Sequence, residues 1–153
     1  MKVGELFGKK MKKSELEFYR SSPLTDALIP YFETGVRAGF PSPAEDYTDL
    51  KIDLNNELIR NKDATFFVKV KGKSMRDAGL NEGDILIIDR SLEPANGKIA
   101  VCYLDGGFTV KRIKITKGVC WLMPENPDFE PIEVSPDNDF IVWGIVTYII
   151  KTT

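Results

Sequence analysis

The chain has 153 residues, enough for one domain with a real core plus an arm. Its formal net charge is −2, split between residues 1–38 with seven Lys/Arg against five Asp/Glu and residues 39–153 with fourteen against eighteen. An acidic body is a poor grip for the nucleic-acid backbone, so direct sequence-specific DNA binding is not expected. Histidine is absent, which excludes Ser-His-Asp and Cys-His catalysis and histidine-based zinc sites from this chain.

Residues 1–38 read as an N-terminal arm and residues 39–153 as the body. Lys9, Lys10, Lys12 and Lys13 form a basic cluster of the kind found on solvated tails. Thr25 to Phe32 suits a turn of helix broken at Pro30. In Arg37-Ala38-Gly39-Phe40-Pro41-Ser42-Pro43, the two prolines bias Phe40 and Ser42 to extended conformations. Ala38-Gly39 has almost no side chain, so this stretch fits either a linker or a slim peptide lying in a protease groove.

A short amphipathic helix is expected within Ile52 to Asn61. Thr65 to Val70 then reads as a strand. Gly72-Lys73-Ser74-Met75 follows it, and Arg76 to Leu80 reads as a short helical turn stopped by Gly79. Ser74 at such a junction either caps the turn or presents its hydroxyl beside free backbone N–H groups, which is what an oxyanion needs. Lys73 and Arg76 put positive charge on either side of it.

Further strands are expected at Asp84–Asp89, Lys98–Leu104, Phe108–Thr116, Val119–Met123 and Phe140–Lys151, with a hairpin turn at Asp105-Gly106-Gly107. At least six strands joined by short turns argue for a compact, mostly antiparallel β body. Alternation along Phe108–Ile115 puts Thr109, Lys111, Ile113 and Ile115 on one face and Phe108, Val110, Arg112 and Lys114 on the other. Lys111 is then either a surface lysine lying over apolar neighbours or one desolvated enough to act as a general base. Phe140–Ile150, 11 residues, is too short to span a bilayer, and the N-terminus has no apolar stretch suited to a secretory signal. A cytoplasmic protein is the expectation. Cys102 and Cys120 fit packed thiols rather than a disulfide or metal site. Phe140–Ile150 is apolar on both faces, as suits a strand central in the body, shared with a partner, or both.

The segments AGFPSPAEDY, GKSM, GLNEGDILIID, DGGFTVKRI and VWGIVTYIIK occur in this order, with 36 residues from Ala38 to Ser74 and 37 from Ser74 to Lys111. Together they resemble the LexA/UmuD family of self-cleaving serine peptidases, on its UmuD side, over about residues 36 to 151. The resemblance implies Ser74 as nucleophile, Lys111 as general base, backbone N–H groups at Ser74 and Met75 as the oxyanion hole, and Ala38-Gly39 as the scissile bond, with no metal or cofactor. It implies a strongly bent β fold and a homodimer. It further implies cleavage stimulated by the RecA filament on single-stranded DNA, then service of the trimmed dimer to a Y-family translesion polymerase in the SOS response. Two other readings remain: a non-enzymatic dimeric interaction module of the same fold, and a LexA-like regulator lacking its DNA-binding domain.

Overall fold

The computed structural model describes residues 16–20, 28–30 and 51–153. The chain divides into two compact units, residues 1–21 with 61–153 and residues 22–60. In the second unit β2 (Leu28–Pro30) pairs antiparallel with β3 (Lys51–Asp53), and α1 (Leu54–Leu58) follows with Asp53 as its N-cap, accepting from Asn55 N at 2.9 Å. Leu28–Pro30 is therefore extended, not the helical turn expected there. Proline's fixed φ suits an edge strand as well as a helix start, and pairing with β3 decides between them. Ala38 and Gly39 lie outside the described residues.

In the first unit β1 (Leu16–Arg20), β4 (Thr65–Val70), β5 (Ile85–Asp89), β6 (Ile99–Leu104), β7 (Gly107–Thr116), β8 (Val119–Met123), β9 (Ile132–Val134) and β10 (Phe140–Ile150) form one sheet. Its order is β1-β4-β5-β10-β6-β7-β8-β9, with antiparallel pairing throughout. The mostly antiparallel β fold is as expected, with the strand ends within two residues of their expected places. Asp105 and Gly106, both at positive φ, make the β6–β7 turn, while Gly107 already belongs to β7.

The final strand is central. β10 pairs β6 over Phe140–Ile145 and β5 over Ile145–Ile150, so each half of the strand is paired along one edge and Ile145 is the residue paired on both. Its register shifts against β6 between Val142 and Gly144, and against β5 between Val146 and Tyr148. Such bulges bend a strand and increase its twist. The bend is needed. A flat sheet of this order would hold β4 and β7 four strand spacings apart, roughly 19 Å, yet side chains carried by β7 and by the turn after β4 touch.

The bent sheet buries apolar residues on both faces. One cluster holds Phe66, Val68, Leu86, Ile88, Val101, Phe108, Val110 and Trp143 with Met75 and Leu80 from the turn after β4. The Trp143 ring meets Phe66 and Phe108 edge-on at centroid distances of 4.9 and 5.9 Å. Arg90 donates to Trp143 O at 3.1 Å, with its guanidinium 4.6 Å from the indole centroid. The other cluster holds Ala100, Cys102, Ile113, Leu122 and Ile145. Both cysteines are free thiols. Burial, then the nearby Cys120, push the Cys102 thiol up to about 12. No helix among the described residues is long and apolar enough to cross a membrane.

Gly144 sits where β10 bends. A Cβ there would press into Ile88 Cγ2, a fully buried side chain, with Arg90 Cγ at 3.3 Å. Gly144→Ala is expected to destabilise the fold by about 1–3 kcal/mol through overpacking, read as a lower denaturant midpoint with unchanged slope. Cys102 gives a second prediction. The folded state holds the thiol proton more tightly than the unfolded chain does. Its contribution to stability is therefore full below the ordinary thiol range and is lost as pH rises through about 12. Urea titrations should show stability falling from pH 8 to pH 11, and iodoacetamide should spare Cys102 in the native protein while labelling the partly exposed Cys120.

Candidate active site

The turn after β4 is built to hold a polar residue still. Val70 N donates to Asp84 O and Gly83 N to Val70 O, each at 2.9 Å, closing the base of the segment between β4 and β5. Met75 and Leu80 are 3% and 1% exposed, so both ends of the turn are anchored in the core. Between them Arg76–Ala78 forms a single 3-10 turn, ended by Gly79 in the left-handed region at φ 82°. Ser74 stands just before this turn and is 9% exposed. The charged neighbours point away from it. Lys73 is exposed, and Arg76 pairs with Asp77 at 3.1 Å in solvent, a contact of little energetic weight.

Lys111 comes from the middle of β7, opposite Ala100 of β6. It is 5% exposed, whereas Lys114 on the opposite face of the strand is exposed. Its Nζ donates to Ser74 Oγ at 2.9 Å, to Thr109 Oγ1 at 2.8 Å and to Val110 O at 3.1 Å. An ammonium has three N–H donors, so these acceptors match it in number. The expectation that Ile113 and Ile115 together desolvate the lysine needs correcting. Ile113 is 1% exposed, but Ile115 is 48% exposed because β7 runs out beyond the core at its far end.

Strand alternation places Thr109 on the same face as Lys111 without assigning it a role, and in the structure its Oγ1 accepts from the lysine. The segment after β8 left no recognisable signal in the sequence. There Glu125 N donates to Ser74 O at 2.8 Å, Asp77 N donates to Glu125 O at 2.8 Å, and Asn126 Nδ2 donates to Lys73 O at 2.8 Å. Glu125 is itself paired through its carboxylate with Arg112 Nε. Beside Ser74 a small cleft, partly open to solvent, is lined by Val70, Lys71, Gly72, Met75, Leu80 and Val110.

Among the described residues no group of acidic, cysteine or histidine side chains is arranged to hold a metal. What the arrangement offers is a buried hydroxyl in contact with a buried amine, beside a cleft. A family model described as Peptidase S24-like matches residues 30–147. MucA of Salmonella typhimurium is 40% identical over 121 residues, covering 78% of this chain and 82% of MucA. ImpA of Escherichia coli is 38% identical over 130 residues, covering 81% and 84%. SamA of Salmonella typhimurium is 40% identical over 127 residues, covering 83% and 88%. These matches place the chain among serine peptidases of the self-cleaving kind. It belongs to the Peptidase S24-like family, as a UmuD-like member of the LexA/UmuD group.

Gly79 is the point where the turn can be tested without touching Ser74. A Cβ at this position meets nothing within 4 Å, so the cost of adding one is conformational alone. Gly79→Ala should destabilise by about 1 kcal/mol and Gly79→Asn by less, since asparagine tolerates the left-handed region. Denaturant midpoints for the two variants check the order.

Proposed function

We propose that this chain cuts its own Ala38–Gly39 bond with Ser74 as nucleophile and Lys111 as general base, releasing residues 1–38 from a body of residues 39–153. The observation that carries the reading is the 2.9 Å contact between Lys111 Nζ and Ser74 Oγ, made by two side chains that are each at most 9% exposed. A serine hydroxyl needs a base, and without histidine a neutral lysine is the group at hand. Burial favours the neutral amine. A neutral amine keeps two N–H donors and one lone pair. With Thr109 Oγ1 and Val110 O taking the two donors, the lone pair faces Ser74, whose O–H then donates to it.

The Ser74 proton passes to Lys111 as Oγ attacks the Ala38 carbonyl carbon. Backbone N–H groups at Ser74 and Met75 receive the negative oxygen. As the C–N bond breaks, the Lys111 ammonium returns the proton to the Gly39 nitrogen. A water, deprotonated by the same amine, then hydrolyses the Ala38 ester and regenerates Ser74. Because the scissile bond belongs to the protein itself, high effective concentration compensates for a modest base. Whether the bond comes from the same chain or from its partner, the chemistry is the same.

The cut removes a segment of net charge +2 and leaves a body of −4. The UmuD-like relationship supports placing this step in the SOS response. There the homodimer is cut when the RecA filament on single-stranded DNA stabilises its reactive arrangement, and the trimmed dimer joins a Y-family translesion polymerase. On this reading the filament shifts a population and contributes no catalytic group.

Purified protein incubated from pH 6 to 11 should cleave slowly at neutral pH and faster with rising pH, about tenfold per unit until the lysine, ordinarily near 10.4, has titrated. Circular dichroism must show an intact fold at each point, because the Cys102 proton couples stability to the same range. Intact mass should reveal a product beginning at Gly39, formed faster with RecA, ATP and single-stranded DNA. Ser74→Ala and Lys111→Ala should each abolish it, and Lys114→Ala should leave it near the original rate. A flat pH profile with the fold intact, or a requirement for Lys114 in place of Lys111, would overturn the assignment.

A further inference from the structure

The N–H groups beside Ser74 belong to two peptide units, Lys73–Ser74 and Ser74–Met75. In a trans peptide the carbonyl and the N–H point in opposite directions, and there are no cis bonds among the described residues. Whatever grips each carbonyl therefore aims the corresponding N–H. Ser74 O accepts from Glu125 N at 2.8 Å, and Lys73 O accepts from Asn126 Nδ2 at 2.8 Å and Arg76 N at 3.2 Å. Both carbonyls are thus drawn toward the segment after β8, which turns the N–H groups of Ser74 and Met75 away from it. Neither N–H donates to a backbone acceptor among the described residues outside the strands and helices.

The grip from Glu125 is backbone and survives substitution. The grip from Asn126 is a side chain, and its placement is unusually well determined. Asn126 is 5% exposed, and its Oδ1 accepts from Asp128 N at 3.0 Å while its Nδ2 serves Lys73 O. Both ends of the amide are occupied, so its orientation follows from the partners. Pro127 restricts the Asn126 backbone to extended conformations and holds the amide in reach.

We propose that Asn126 is a positioning residue for self-cleavage: its amide fixes the Lys73–Ser74 peptide plane so that the Ser74 N–H meets the oxygen that becomes negative under attack. This rests on the self-cleavage reading given above. Asn126 does not touch the reacting atoms. Outright loss of one oxyanion donor costs roughly 10²–10³ in rate. Loss of its alignment, with Arg76 N still holding the same carbonyl, should cost roughly 10- to 100-fold.

The test compares Asn126→Asp with Asn126→Ala in the full chain. Aspartate keeps the shape and the oxygen that Asp128 N uses, but presents Lys73 O with an oxygen in place of an N–H. Alanine removes both contacts. Cleavage is followed by intact mass at pH 9. Two additives, each spanning residues 35–38, are titrated for protection: a peptide boronic acid ending at Ala38, which forms a tetrahedral adduct on Ser74, and the matching peptide amide, which does not. The expected result is cleavage slowed 10- to 100-fold in both variants. Protection by the boronic acid should weaken by a similar factor, with protection by the amide unchanged. A loss confined to Asn126→Ala would mean that Asn126 only holds the 126–129 turn, and would overturn the proposal. So would equal weakening of both additives. Normal cutting by the unsubstituted chain and by Asn126→Asp overturns this inference alone. No cutting by the unsubstituted chain under the same conditions overturns the self-cleavage reading and this one with it.

Discussion

The contact between Lys111 and Ser74 depends on a bent sheet. In the order β1-β4-β5-β10-β6-β7-β8-β9 three strands separate β4 from β7. A lysine side chain cannot bridge that separation across a flat sheet, so the sheet must bring its ends together before the two groups can meet. Two irregularities in β10 bend the strand that lies between them, and Gly144 allows β10 to press onto Ile88 at that point. The site is therefore a property of the curvature of the entire sheet, and substitutions far from Ser74 that flatten β10 act on it as surely as those beside it.

Holding a lysine at 5% exposure is costly unless its donors are matched, and here they are matched by two hydroxyls and one carbonyl. That set is a compromise. Three acceptors suit the ammonium, which is inert as a base, while burial suits the neutral amine. The two tendencies oppose each other, and on the proposed reading of Lys111 as a general base that opposition acts as a restraint on self-cleavage. The absence of histidine sharpens the point, since imidazole would titrate near neutral pH without such opposition.

Much of the sheet is legible in the sequence because its strands carry period-two alternation and are punctuated by Asn-Glu-Gly and Asp-Gly turns. The same alternation separates Lys111 from Lys114 by face, and the structure buries the first and exposes the second. Where local pattern ends, legibility ends. β9 is three residues long, too short to show a period, and exists because Ile132 and Val134 pair with β8. Leu28–Pro30 is decided by a partner strand farther along the chain, with Pro30 opposite Lys51 and Leu28 opposite Asp53. The exposure of Ile115 reflects where the core stops along β7, which no window around residue 115 contains. Asn126 looks like one polar residue in a proline-flanked loop, and its tie to Lys73 spans 53 positions.

The edge of the sheet carries a consequence of its own. β1 pairs with β4 from Leu16 opposite Val70 to Arg20 opposite Phe66, and it lies wholly before Ala38. If the chain is severed at residue 38 as proposed, β1 loses its covalent tether to β4 and the ladder between them must hold it in place. Once β1 departs, β4 becomes the outermost strand and its backbone N–H and C=O groups lose their partners. An open edge of this kind is a template for the extended backbone of another molecule. The strand laid bare runs straight into the turn that carries Ser74. A protein docked along it would thus sit against the segment that carries Ser74, and on the proposed self-cleavage reading the chain would acquire a binding edge by losing one of its own strands.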